Sequence, residues 1–392
     1  MKVVYILSSA KATGGASKAF LTLLMGLMEK GVEPIAVLPG RGAFYDVLQS
    51  RGIPCIILIY RNCTYPYRRN LKETLLFLPR LCARLWVNFF AARALTKRLK
   101  CSGVALIHTN VGVVDIGFRA AQKLHVPHIY HIREYADLDF GMHYFPTKAS
   151  FRRQLQKNDS YSICITRDIQ QHHAQQTSSS SRVIYDGITL PAVPGVSSYG
   201  GDYFLYAGRI EPAKGLDILL RAYVLCRRRG KALPQLWVAG RVGQPAFMDE
   251  VSQFIAKHDL SHTVRFLGER EDVVSLMQQA RALIVPSRHE GFGLCMPEAM
   301  HVHCLVIAHD TAGTQEQLDN GLAWTGGEIA LRFNSPEQLV DRLCEVLTTP
   351  MESFEGMKGR AYKAVTQLYT PEATVEQVWQ YYKDILKTDK RS

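Results

Sequence analysis

The fold is decided by the stretch Ala282-Leu-Ile-Val-Pro-Ser-Arg-His-Glu290-Gly-Phe-Gly293-Leu-Cys-Met-Pro-Glu298-Ala-Met300. The apolar run Ala282–Val285 predicts a buried strand, the segment Glu290-Gly-Phe-Gly293 predicts a turn-forming loop, and Pro297 marks a place where a helix can begin. Strand, loop and helix in this order are the repeating unit of an open parallel sheet. At the carboxyl edge of such a sheet, backbone N–H groups and the start of a helix can hold an anion.

Two carboxylates, Glu290 and Glu298, lie in this loop and helix start, where they would repel an anion. One interpretation is that both accept hydrogen bonds from hydroxyl groups, which sugars and ribose supply. The other is that Glu298 only complements the positive end of the helix dipole, worth about 0.3–1 kcal/mol, and that Glu290 is a solvated loop residue. This stretch alone favours neither interpretation.

A second polar cluster follows the predicted strand Tyr203–Ala207, in Gly208-Arg-Ile-Glu-Pro-Ala-Lys-Gly215. Arg209 and Lys214 precede a predicted helix, where the dipole disfavours cations but where an arginine and a lysine can clamp a diphosphate. The alternative, two solvated cations, carries the same electrostatic cost without a ligand. Together with the two carboxylates, the cluster places phosphate binders and hydroxyl acceptors at one sheet edge, which suits a nucleoside-diphosphate sugar.

Short β-branched runs alternate with helical patterns in both halves of the chain, as in parallel sheets flanked by helices. The predicted strands are Val3–Ser9, Pro34–Pro39, Pro54–Ile59, Ala105–Thr109, His128–Ile132, Tyr161–Thr166, Arg182–Tyr185, Tyr203–Ala207, Gln235–Ala239, Val264–Leu267, Ala282–Val285 and Leu305–Ala308. The pattern predicts two Rossmann-like domains, residues 1–190 and 203–370, joined by a proline-, glycine- and serine-rich linker at 191–202. Residues 371–392 are expected to form a terminal helix that docks on the body through an apolar stripe, followed by a short tail.

The paired motifs of the second half resemble those of the family-four retaining glycosyltransferases, the glycosyl transferases of group 1. The motifs are Gly208-Arg-x4-Lys-Gly215 and Pro286-Ser-x2-Glu-Gly-Phe-Gly-x4-Glu-Ala-Met300, with the two glutamates in Glu-x7-Glu spacing. Further points of similarity are Gly14-Gly15, His131, Asp186-Gly187-Ile188 and Gly313-x-x-Glu316. The resemblance implies the GT-B fold, an α/β architecture in which an N-terminal acceptor-binding domain and a C-terminal nucleotide-sugar-binding domain face each other across a cleft.

The resemblance also implies roles for single residues. Arg209 and Lys214 would hold the diphosphate of the donor, and Glu298 would bind its ribose. Glu290 would contact the transferred sugar, and His131 would lie beside the reacting carbon. The remaining residues expected to contact the donor are Gly14, Gly15, Arg241, Gly291, Phe292, Gly293 and Leu294.

The sequence departs from the family pattern in three places. Asp186 stands where asparagine is usual, and Arg241 follows Gly240 where a second glycine is more usual. His131 is followed by Ile132-Arg133-Glu134, where an aspartate is often found.

The implied activity is the transfer of a hexose-type sugar, with retention, from a UDP- or GDP-sugar to a hydroxyl of a glycan or lipid-linked glycan. The expected process is cell-surface polysaccharide or lipopolysaccharide biosynthesis. No metal and no cofactor are expected, because Arg209, Lys214 and backbone N–H groups can stabilise the leaving diphosphate. Two alternatives stay open: a nucleotide-sugar epimerase or hydrolase of the GT-B fold, and a non-catalytic partner in a membrane glycosyltransferase complex.

The net charge of +12 indicates an anionic partner, which could be a nucleotide, a nucleic acid or an anionic membrane. Residues 61–100 contain ten basic residues and one acid, Glu73, interleaved with leucine and aromatic side chains. Such a segment is typical of a helix at a membrane surface, or of a helix that packs its apolar side on a sheet. No groove-reading motif supports nucleic-acid binding.

Nine cysteines without metal-site spacing indicate reduced thiols, and no apolar segment approaches the ~20 residues of a membrane span. These observations predict a cytoplasmic protein that is peripheral to the inner face of the plasma membrane.

Overall fold

The computed structural model describes residues 1–11, 15–66, 71–189 and 201–389. The chain forms two compact units, one of Met1–Gly187 with Pro371–Ser392 and one of Ile188–Thr370. The sequence analysis ends the first domain at residue 190 and sets 371–392 apart, whereas the structure assigns 371–392 to the first unit. Most of the predicted linker, residues 191–200, lies outside the described residues, as does residue 190.

The first unit alternates strands and helices. Its strands are β1 (Lys2–Ile6), β2 (Glu33–Leu38), β3 (Cys55–Ile57), β4 (Thr64–Pro66), β5 (Leu106–Thr109), β6 (His128–Ile132), β7 (Met142–Tyr144), β8 (Ser160–Cys164) and β9 (Ser181–Val183). Its helices up to Gly187 are α1 (Gly15–Glu29), α2 (Ala43–Ser50), α3 (Leu71–Leu75), α4 (Phe77–Leu99), α5 (Ile116–Leu124), α6 (Asp137–Phe140), α7 (Lys148–Leu155) and α8 (Arg167–His172). A parallel sheet in the order β3-β2-β1-β5-β6-β8-β9 forms its centre.

The second unit is a second parallel sheet with flanking helices. Its strands are β10 (Tyr203–Ala207), β11 (Gln235–Ala239), β12 (Val264–Gly268), β13 (Ala282–Val285), β14 (Val306–His309) and β15 (Leu331–Phe333). Its helices are α9 (Leu216–Arg228), α10 (Pro245–Lys257), α11 (Val273–Gln279), α12 (Cys295–His301), α13 (Ala312–Thr325), α14 (Pro336–Thr348) and α15 (Glu355–Leu368). The strand order is β12-β11-β10-β13-β14-β15, so β10, β13 and β14 are neighbours. The prediction of an α/β fold with two Rossmann-like halves is confirmed.

Helix α16 (Pro371–Asp389) returns to the first unit and packs beside α1. Its apolar stripe is buried in the core of that unit and consists of Val375, Val378, Tyr381, Tyr382 and Ile385. The packing is close, because a Cβ added at Gly26 of α1 would lie 2.4 Å from a methyl group of Val375. The predicted docking of the terminal helix is therefore confirmed, with the first unit as its partner.

Three short strands are absent from the sequence analysis. The strands β4 and β7 form an antiparallel pair outside the main sheet, and β15 is the edge strand of the second sheet. Each has only three residues, too few for the alternation of polar and apolar residues to be recognised.

Helix α4 combines a buried half with an exposed apolar surface. Its buried residues, Asn88, Ala91, Ala92, Leu95 and Leu99, pack mainly toward α5. Large apolar side chains on α3 and α4 are nevertheless exposed, namely Leu71, Leu75, Leu78, Trp86, Phe89 and Phe90. Among the described residues, no helix is long and apolar enough to cross a membrane.

Candidate functional site

The predicted phosphate binders and hydroxyl acceptors meet at the carboxyl edge of the second sheet. Arg209 and Lys214 follow β10, and Glu290 follows β13, the neighbouring parallel strand. Because the carboxyl ends of parallel strands lie at one edge, the two loops approach each other. This edge is hereafter the donor edge.

Lys214 and Glu290 form an ion pair at the donor edge. Lys214 Nζ donates to Glu290 Oε1 at 2.7 Å and to Oε2 at 2.6 Å. The two side chains are 18% and 11% exposed. Burial lowers the pKa of the Lys214 ammonium, but the charge and hydrogen bonds of Glu290 outweigh burial and raise it overall. The resemblance implied that Lys214 binds the diphosphate and Glu290 the transferred sugar, whereas in the structure the two side chains bind each other.

Two glycines let the loops of the donor edge come this close. Gly215, which has φ of +69°, precedes α9, and a Cβ there would lie 1.9 Å from the carbonyl oxygen of Pro286. Gly293 has φ of +77°, and its Cβ would lie 2.6 Å from Glu290 Cγ. Any larger residue at either position would combine an unfavourable backbone conformation with a clash. The two glycines therefore fix the path of the loops that carry Lys214 and Glu290.

Arg209 pairs with a carboxylate that the sequence analysis did not assign. Arg209 Nη2 lies 3.0 Å from Glu211 Oε1, and Glu211 is almost fully buried. Burial raises the pKa of the Glu211 carboxyl, while the charges of Arg209 and Lys214 act in the opposite direction. Glu211 lies between Arg209 and Lys214 in the motif, so its position was the available signal. We interpret Glu211 as a residue that positions the Arg209 guanidinium.

Arg241 follows β11 and is exposed beside the same loop. Its carbonyl accepts a hydrogen bond from Ile210 N at 3.0 Å, and a β-bridge joins Ile210 to Val242. Its charge also acts on Glu211. The structure thus places Arg241 near Arg209, as expected for a further cation at the donor edge.

Ser287 and His309 support Glu290, and sequence reasoning gave neither of them a role. Ser287 Oγ donates to Glu290 Oε2 at 3.1 Å, and His309 Nδ1 lies 2.9 Å from the carbonyl oxygen of Ser287. A carbonyl only accepts, so Nδ1 of His309 carries the proton. Burial lowers the pKa of His309. Ser287 was recognisable as a motif residue, whereas His309 comes from β14 and carried no signal.

The loop that leads into α12 is held from two sides. Gly313 N donates to the Glu290 carbonyl at 3.0 Å, and the side-chain amide of Gln317 donates to the Phe292 carbonyl. The ring of Phe292 is buried and packs on Tyr369 with centroids 5.1 Å apart. These contacts hold the peptide groups next to Glu290 in one conformation.

Helix α12 starts earlier than predicted. It begins at Cys295 rather than at Pro297, and Pro297 occupies its first turn, where a missing N–H costs no intrahelical bond. Gly291 and Leu294 are partly exposed in the preceding segment. Glu298 lies in the first turn and is partly exposed, and its binding of ribose stays a prediction.

The structure places His131 in the interior of the first unit, at the end of β6. Its side chain has no exposed surface, and its Nδ1 lies 3.2 Å from Nε2 of His108. His108 in turn bonds to the hydroxyl of Tyr382 on α16. Burial, followed by the charge of Arg133, lowers the pKa of both histidines well below its usual value, so both are neutral at pH 7.

The second ring nitrogen of His131, Nε2, takes no part in these hydrogen bonds. It is buried, has no hydrogen-bond partner among the described residues, and lies 3.8 Å from Asp186. Asp186 itself is held by Arg133, which donates from Nε at 2.9 Å and from Nη2 at 2.8 Å. The two departures from the family pattern in this region, Asp186 and Arg133, thus form one buried ion pair.

The remaining predicted residues of the first unit are Gly14 and Gly15. Gly15 is the first residue of α1, and Gly14 lies outside the described residues. Within the described ranges, no group of three or more histidine, cysteine, aspartate or glutamate residues is arranged to hold a metal ion. The expectation of a metal-independent reaction stays a prediction.

Comparison with known proteins relates the chain to glycosyltransferases. Residues 197–364 match the family model described as glycosyl transferases group 1. The uncharacterized glycosyltransferase MJ1178 of Methanocaldococcus jannaschii is 25% identical over 291 residues, which are 73% of this chain and 77% of that protein. The lipopolysaccharide core biosynthesis mannosyltransferase LpcC of Rhizobium leguminosarum bv. viciae is 32% identical over 163 residues, 38% of this chain and 43% of that protein.

A solved structure extends the similarity to nearly the whole chain. Alr3699/HepE of Anabaena, crystallised in complex with UDP, has a TM-score of 0.75 at 18% identity, covering 98% of this chain and 100% of that one. At this identity the likeness concerns the fold. The family match falls on the unit that carries the donor edge, and the shared fold covers both units. Residues 197–364 therefore resemble the glycosyl transferases of group 1, and the chain has the GT-B fold.

Proposed function

We propose that the chain transfers a hexose-type sugar, with retention and without a metal, from a UDP- or GDP-sugar to a hydroxyl of a glycan or lipid-linked glycan. The observation that carries the proposal is the donor edge, where Arg209, Lys214 and Glu290 lie on neighbouring loops of one sheet. The UDP in the Alr3699/HepE complex supports a nucleotide-sugar donor. The role of LpcC in lipopolysaccharide core biosynthesis supports a cell-surface glycan as the product.

The charges of the donor edge explain how the reaction would proceed. Breaking the bond between the anomeric carbon and the phosphate increases the negative charge on the departing diphosphate. Lys214 stays protonated because its pKa is raised, and Arg209 is held in place by Glu211. Both cations would stabilise that charge more in the transition state than in the bound donor. A phosphate oxygen would accept the proton of the acceptor hydroxyl, and no protein nucleophile is assigned.

Glu290, Glu298 and His131 would recognise the organic parts of the donor. Glu298 in the first turn of α12 would bind ribose hydroxyls, and Glu290 would bind hydroxyls of the transferred sugar once the diphosphate has taken over Lys214. His131 would lie beside the reacting carbon, as the resemblance implies, and its fully buried Nε2 would have to become accessible to bind the sugar. A neutral histidine suits this role, because a charged one would oppose the positive charge that develops on the sugar.

Replacing the cations tests the proposal. We expect Arg209→Ala and Lys214→Ala each to lower turnover by about 10²-fold or more, roughly 2.7 kcal/mol, through lost transition-state stabilisation. Donor consumption by the purified variants is the measurement, once a screen of nucleotide sugars by thermal stabilisation has identified the donor. Arg229→Ala is the matched control, because Arg229 lies at the end of α9 in an exposed pair with Asp341. Near-normal turnover in Arg209→Ala or Lys214→Ala would refute the proposal that the two cations hold the diphosphate. Release of the sugar without any acceptor would favour the hydrolase or epimerase.

We further propose that α3 and α4 bind an anionic membrane surface at the inner face of the plasma membrane. Trp86 is 65% exposed, its ring lies 5.6 Å from that of Phe90, and Arg93 lies over the ring of Phe89. Aromatic rings flanked by cations suit the boundary between lipid head groups and acyl chains. Co-sedimentation with anionic liposomes at low salt should be lost in a Trp86→Ser/Phe90→Ser variant and retained in Trp324→Ser, an exposed tryptophan of the second unit. Equal sedimentation of the two variants would contradict this proposal.

A further inference from the structure

A cavity of about 780 Å³ lies within the first unit, at the carboxyl ends of β1, β2 and β3. It is lined by the segments Ser8–Lys11, 39–43 and 60–62, together with Thr64, Arg84 and Met142. The residues that line it come from five places in the sequence, so sequence patterns gave no sign of it. The cavity is hereafter the basic pocket.

Four cations line the basic pocket, and the lining residues among those the structure describes include no acid. The cations are Lys11, Arg41, Arg61 and Arg84. Like charges gathered in a concave site repel one another, which is unfavourable unless an anion neutralises them. Burial, and to a smaller extent the charge of Arg61, lowers the pKa of the Arg84 guanidinium, which agrees with this crowding.

The segments that carry Arg61 and Arg84 are anchored by hydrogen bonds. Asn88 of α4 accepts from Arg61 N at 2.8 Å and donates to the Arg61 carbonyl at 2.8 Å, so the backbone of Arg61 is fixed on both sides. Arg84 donates to the carbonyl of Thr64. The hydroxyl of Tyr60 bonds to carbonyls of β2 and of the residue after β1. A loop whose backbone is anchored in this way lowers the ordering cost of binding to that of the side chains alone.

Polar groups without charge complete the lining. Ser8, Ser9 and Asn62 contribute hydroxyls and an amide, which bind hydroxyl-bearing ligands. An anion with hydroxyl groups therefore fits the basic pocket better than an apolar ligand or a neutral sugar alone.

We propose that the basic pocket binds the acceptor and that the acceptor carries an anionic group next to its glycan. This inference rests on the proposed function, because it names the substrate class of the same enzyme. A phosphate or diphosphate that joins the glycan to a lipid and the carboxylate of an acidic sugar share this chemistry. Helix α4 connects the basic pocket to the exposed aromatic side chains, since Arg84 is separated from Trp86 by one residue.

The experiment measures anion binding to the purified full chain by isothermal titration calorimetry. UDP is present at saturation throughout, so that the donor edge is occupied. Inorganic pyrophosphate serves as the probe for a phosphate-linked acceptor, and digalacturonic acid serves as the probe for an acidic sugar. We expect one of them to bind at low salt and to bind more weakly at high salt.

Two variants assign the binding to the basic pocket. Arg41→Ala and Arg61→Ala should each weaken binding of the probe about tenfold or more, because a hydrogen bond to a charged group is lost. Both side chains are exposed, so neither substitution removes a core contact. Arg51→Ala is the matched control, an exposed arginine at the end of α2 that is outside the lining.

The outcomes separate this inference from the proposed function. Binding of neither probe to the wild-type chain, or binding that is unchanged in both Arg41→Ala and Arg61→Ala, would overturn the anionic acceptor site while leaving UDP binding intact. Failure of UDP to bind, with probe binding still dependent on Arg41 and Arg61, would overturn the donor site and leave the basic pocket standing. Selective binding of pyrophosphate or of digalacturonic acid supports the inference and identifies the source of the anion.

Discussion

Replacement of Glu290 by glutamine separates donor binding from sugar transfer. Both carboxylate oxygens of Glu290 accept from Lys214 Nζ, at 2.7 and 2.6 Å. A diphosphate that binds Lys214 must first displace Glu290 from it. Glutamine keeps the size of the side chain and can still accept a hydrogen bond, but it carries no charge to compete for the ammonium. We therefore expect Glu290→Gln to bind UDP more tightly than the wild type while transferring sugar more slowly.

The size of the effect follows from the pair. A hydrogen bond to a charged group contributes about 1.5–3 kcal/mol, and the 18% and 11% exposure of the two side chains allows some screening by water. If about 1 kcal/mol of the competition is removed, UDP binds roughly fivefold more tightly. Turnover should fall by about tenfold or more, because Glu290 no longer offers a carboxylate to the sugar hydroxyls.

Calorimetric titration with UDP and a donor-consumption assay measure the two quantities on one preparation. Glu250→Gln, an exposed residue of α10 in the same unit, removes one negative charge without touching Lys214 and serves as the control. Without UDP, Glu290→Gln should also unfold at a lower temperature than the wild type, since the largely buried Lys214 ammonium loses the carboxylate that offsets its burial. Unchanged or weaker UDP binding in Glu290→Gln would refute the competition between carboxylate and diphosphate.

Three further predictions concern Gly293 in the second unit and Glu134 and Tyr382 in the first. Gly293→Ala should lower the melting temperature and the activity through about 1–3 kcal/mol of strain and a clash with Glu290, whereas Gly230→Ala, with φ of +69° and open space around it, should leave activity unchanged. Burial, then the charge of Asp139, raises the pKa of Glu134 to about 7, so the native state keeps its proton to higher pH than the unfolded chain and stability falls as pH rises through 7. Melting curves between about pH 5 and pH 8 should show a shallower decline in Glu134→Gln, and a parallel decline would contradict that pKa. Tyr382→Phe removes the buried bond to a histidine and should destabilise the first unit by about 1 kcal/mol in denaturant unfolding, which an unchanged midpoint would disprove.

The donor edge was predictable because its signals are local. The strand Ala282–Val285 is a continuous apolar run, and the strand in the structure has the same bounds. In the turn that follows, Gly293 has φ of +77°, a conformation that favours glycine. The start of α12 was misplaced by two residues, because Cys295 and Met296 carry no helix-start signal while proline does. Hydrophobic periodicity and turn residues therefore predict where a strand or helix lies more accurately than they predict its first and last residues.

Contacts between distant parts of the chain were not predictable. Lys214 and Glu290 are 76 residues apart, and the two motifs that contain them give no sign that they touch. The environment of His131 depends on Tyr382 through His108, a bond that spans 274 residues. The resemblance implied that His131 lies beside the reacting carbon, but the sequence gave no sign of the bonds that link it through His108 to the terminal helix. The basic pocket has the same origin, since its lining is assembled from separate segments.

The return of α16 to the first unit has a consequence for the order in which the chain folds during synthesis. Five side chains of α16 fill the core of the first unit, and the hydroxyl of Thr374 bonds to the carbonyl of Tyr185 at its exit point. Every residue of the second unit leaves the ribosome before this helix does. The first unit therefore remains without part of its core, with apolar surface exposed, while the second unit can already fold. In this protein the half that is synthesised first is the half that is completed last.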